Sequence, residues 1–81
     1  MMSYESKITQ LALQLSREMY EAWTDPENHD LPDPDLWSNL ILLASGDYDK
    51  DPWVVNIDIK NMSSRIYMDM ISAELVKRRG L

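Results

Sequence analysis

Three Asp-Pro steps, Asp25-Pro26, Asp33-Pro34 and Asp51-Pro52, cut this chain into three apolar-periodic segments, and no regular element runs through any of them. Proline lacks the amide hydrogen that a helix interior needs, and its ring pushes the preceding residue out of helical torsions. Each step therefore ends one element or begins the next. A tryptophan, Trp23, Trp37 or Trp53, stands close to each step.

In the first segment Ile8, Leu11, Leu15, Met19 and Ala22 or Trp23 recur at spacings of three and four, which lays one apolar stripe along a helix. Ser3 is suited to cap it, Glu5 lies in its first turn, and Asp25-Pro26 stops it, so the helix is expected from Tyr4 to Trp23. The linker from Asp25 to Asp33 holds two prolines and no periodicity, and reads as a turn-rich connection. Asp33-Pro34-Asp35 then has the form of a helix start: a side-chain acceptor, a proline where the amide would be unpaired anyway, and a carboxylate near the positive dipole end. Leu36, Leu40 and Leu43 or Ala44 are expected inward, with Trp37 and Ile41 beside them and Ser45-Gly46 as the terminator.

Two periods compete in the third segment. Trp53, Val55, Ile57 and Ile59 alternate with Val54, Asn56, Asp58 and Lys60 in a strand-like way. Val55, Ile59, Met62, Ile66, Met70, Ala73 and Val76 keep helical spacing along the whole segment instead. No other stretch resembles a strand, and a lone strand leaves its backbone groups unpaired. The expectation is one helix from Pro52 to Arg79, hence an all-α three-helix domain spanning 1–81 with a long last helix. The alternative is a strand at 53–60 paired with its equivalent in a second chain, an intertwined homodimer.

Composition narrows the chemistry. The chain has no cysteine, which removes disulfides, thiolate nucleophiles and cysteine metal sites. No apolar run reaches the roughly 18 residues that span a bilayer, and the first residues lack a basic segment followed by an apolar one, so the cytosol is the expected address. The net charge of −6 is unevenly spread. Residues 1–59 carry three basic and twelve acidic groups, whereas 60–81 carry five basic and two acidic ones. Eight of the carboxylates lie between Asp25 and Asp51, with Lys50 the one cation among them. Such a field repels nucleic-acid phosphates and attracts basic protein surfaces.

Asp47, Asp49 and Asp51, with Asp58 eleven residues after the first, resemble a calcium-loop spacing. Pro52 occupies the place where that loop needs a glycine turn, so the reading favoured is an acidic turn capping a helix, without metal. His29, the one histidine, lies in the linker with no second nitrogen ligand and no nucleophile motif. The Lys77-Arg78-Arg79 run complements a last helical turn. The methionines serve as core filler, Met68 lying off the main stripe.

The resulting expectation is a non-enzymatic protein without cofactors that binds a partner protein with a basic surface, touching neither nucleic acid nor membrane. Adaptors, immunity proteins and inhibitors that imitate nucleic-acid phosphates all work in this way. The candidate partner-binding residues are Asp30, Asp33, Asp35, Trp37, Asp47, Tyr48, Asp49, Asp51 and Trp53, taken as one outward acidic field with aromatic anchors. The rival is a dimeric DNA-binding transcription regulator using the 53–60 segment as a ribbon and the basic C-terminus as its DNA contact.

Overall fold

Three helices account for the architecture, α1 (Tyr4–Thr24), α2 (Pro34–Tyr48) and α3 (Pro52–Arg78). The structure is a computed structural model and describes residues 2–25, 27 and 33–80. His29 and Asp30 lie outside the described residues.

Each helix begins where its capping chemistry stands. The Ser3 hydroxyl accepts the Ser6 amide, and the Asp33 and Asp51 carboxylates accept the Asp35 and Trp53 amides, with proline at the first helical position of α2 and α3. The helical period wins over 53–60, which lies inside α3, so neither the strand nor the ribbon of the rival reading forms. One terminator differs from expectation. Gly46 lies within α2, which runs on to Tyr48, and Asp49 takes the left-handed conformation at φ 51°. Aspartate tolerates that region better than most side chains. The Lys50 amide reaches back to the Ser45 carbonyl at 3.0 Å, and the Ser45 hydroxyl donates to the Lys50 carbonyl, which locks the turn.

The helices run up, down and up, so α1 and α3 are parallel. Tyr4 meets Asp58 at one end of this pair, and Tyr20 meets Glu74 at the other. α2 is antiparallel to both, its Trp37 indole donating to Glu18 at 3.1 Å and its Tyr48 hydroxyl to the Met2 carbonyl at 2.6 Å. The core is Ile8, Leu11 and Ala12 of α1, Trp37 and Ala44 of α2, and Val55 and Ile59 of α3. Small residues set the α1–α3 crossing. The buried Ser16 hydroxyl donates to Ala12 O at 2.6 Å and lies 3.0 Å from Ser63 O across the helix pair.

The inward stripe of α2 is turned toward Trp37. Leu40 and Ala44 face the core as expected and Trp37 and Ser45 are buried with them, while Leu36 and Leu43 face solvent. With a rise of about 1.5 Å per residue, α2 covers only about 22 Å of the roughly 40 Å length of α3. Beyond that cover, Ala73 and Val76 of the expected stripe are exposed.

Candidate functional site

The expected single acidic field is divided in two. Asp33 and Asp35 stand at the start of α2, and Asp47, Asp49 and Asp51 at its far end, about 20 Å away along a straight helix. The turns before and after an antiparallel helix must lie at opposite ends of it, so these groups could not gather at one place.

Asp47, Tyr48, Asp49, Asp51 and Trp53 do come together, at the turn between α2 and α3. Tyr48 is held edge-on to Tyr4, with ring centroids 5.7 Å apart, and is half-buried. The Lys50 ammonium lies over the Tyr4 ring, 4.9 Å from its centre, in no ion pair with the neighbouring carboxylates among the described residues. Trp53 is 68% exposed, the most of any large apolar side chain described. Trp37, in contrast, is only 7% exposed and belongs to the core, which corrects its place among the anchors. Its indole nitrogen still finds a partner in Glu18, as a buried donor must.

From Trp53 an open apolar groove of about 620 Å³ runs between α2 and α3. Leu42 and Ile41 form one wall, Trp53 and Asn56 the other, Ile59 and Trp37 the floor, and Lys60 and Pro34 close the far mouth. Asp51 precedes the lining residue Pro52, and Asp33 and Asp35 flank the lining residue Pro34, while the one charged side chain that lines the groove among the described residues is Lys60. Leu42, 58% exposed, was not among the residues expected at a site. Its signal was present in the run Leu40-Ile41-Leu42-Leu43, because four successive residues point around more than one face of a helix.

The basic tail lies at the opposite end of the molecule. Arg78 pairs with Glu74 at 3.2 Å and stacks over Trp23, 5.1 Å from the ring centre. There Glu74 accepts from both Tyr20 and Arg78, and these bonds hold its carboxyl below the usual range. On another face, Tyr4 donates to Asp58 at 2.7 Å. Burial first, and the Asp58 carboxylate second, push its hydroxyl up to about 12, so it stays a proton donor and is no nucleophile near neutrality. Asp58, the last position of the calcium-like spacing, is thus committed to Tyr4. It also stands about 10 Å along α3 from Asp51, too far to share an ion bound at roughly 2.4 Å. Among the described residues no group of three or more potential ligands forms a metal site, and no helix is long and apolar enough to cross a membrane.

Comparison with protein families, with curated proteins and with solved structures returned no match, so function is argued from this geometry.

Proposed function

We propose that this chain acts by binding protein and not by catalysis, through the groove between α2 and α3 and the acidic turn at its Trp53 mouth, in a cytosolic setting. One observation carries the reading: a large aromatic side chain, 68% exposed, lines an apolar groove and directly follows the turn that holds the exposed Asp47, Asp49 and Asp51. A monomer gains nothing by keeping a tryptophan in water. Interfaces gain most from such a residue when a partner desolvates it, and the surrounding charge selects a cationic partner and speeds the encounter.

The fitting surface is an apolar strip with basic residues beside it. Adaptors, immunity proteins and inhibitors that take a nucleic-acid-binding face are the protein classes that meet such surfaces. Tryptophan emission during titration with a cationic amphipathic helical peptide tests the reading. Binding should shift the emission to the blue, weaken as salt rises, and fall at least tenfold in Trp53→Ala. Equal affinity for the peptide by wild type and Trp53→Ala would contradict it, as would preference for duplex DNA.

A further inference from the structure

We draw no further inference here: the strongest candidate, the open groove between α1 and α3 lined by the apolar Ile8, Met62 and Ile66 and by the exposed Glu5, Arg65 and Asp69, carries no proposal because nothing in the structure shows what covers it.

Discussion

Tyr4 ties the start of α1 to α3 through one hydrogen bond, and its removal has a calculable cost. Tyr4→Phe keeps the ring packed on Tyr48 but leaves the half-buried Asp58 carboxylate without its donor. A loss of about 1 kcal/mol in denaturant unfolding is expected. Because the folded-state value of the phenol lies above the unfolded one, this contribution is complete below pH 10 and disappears as pH rises toward 12. The wild-type chain should therefore lose stability over that interval faster than Tyr4→Phe, which alkaline unfolding curves will show. The residue-level features that were legible in advance were the caps at Ser3, Asp33 and Asp51, since each needs only a local acceptor and a following amide. The Tyr4–Asp58 and Trp37–Glu18 bonds were not legible, because the partners are brought together by packing and not by spacing.

Gly46 shows what element boundaries conceal. A glycine after Ser45 reads as a terminator, yet the left-handed residue is Asp49, three positions later, and Gly46 sits inside α2 with open space around its missing side chain. Gly46→Ala should stabilise the protein by about 0.5–1 kcal/mol by restricting the unfolded chain, measured as a raised unfolding midpoint. Asp51→Ala, which removes the cap of α3, should cost about 1 kcal/mol by the same measurement. The competition between strand and helix periods at 53–60 also finds its cause at this scale. Val55 and Ile59 face the core while Trp53 and Ile57 face outward, so one helix with two apolar faces imitates the alternation of a strand. For α2 the pattern fixed the existence of the helix but not its rotation, because Leu36, Trp37, Leu40, Ile41, Leu42, Leu43 and Ala44 leave almost no polar face to set the phase. Trp37 wins the core as the largest side chain there, and Leu42 and Leu43 are left in water.

Over the whole molecule, 47 Å long, the carboxylates of the α2–α3 turn and the cations of the tail stand far apart, the tail sharing its end with Glu21, Asp25 and Glu74. The parallel course of α1 and α3 produces this, carrying Lys77, Arg78 and Arg79 away from the acidic turn. The far end is joined by Glu74, which accepts from Tyr20 and Arg78. Its depressed carboxyl contributes stability that is present above the ordinary carboxylate range and is lost as pH falls through the folded-state value. Glu74→Gln should accordingly show a shallower loss of stability on acidification below about pH 5 in thermal melts. The charge segregation between 1–59 and 60–81 was readable from residue counts. The separation of Asp33 and Asp35 from Asp47, Asp49 and Asp51 was not, since it depends on the direction of α2. The central claim is that the apolar groove lined by Trp53 exists to be covered by a cationic protein surface, and calorimetric titration of wild type and Trp53→Ala with a cationic amphipathic helical peptide tests it most directly. The account predicts binding by wild type that weakens as salt rises and at least tenfold weaker binding by the variant at unchanged helicity. Identical affinities for the two chains would contradict it.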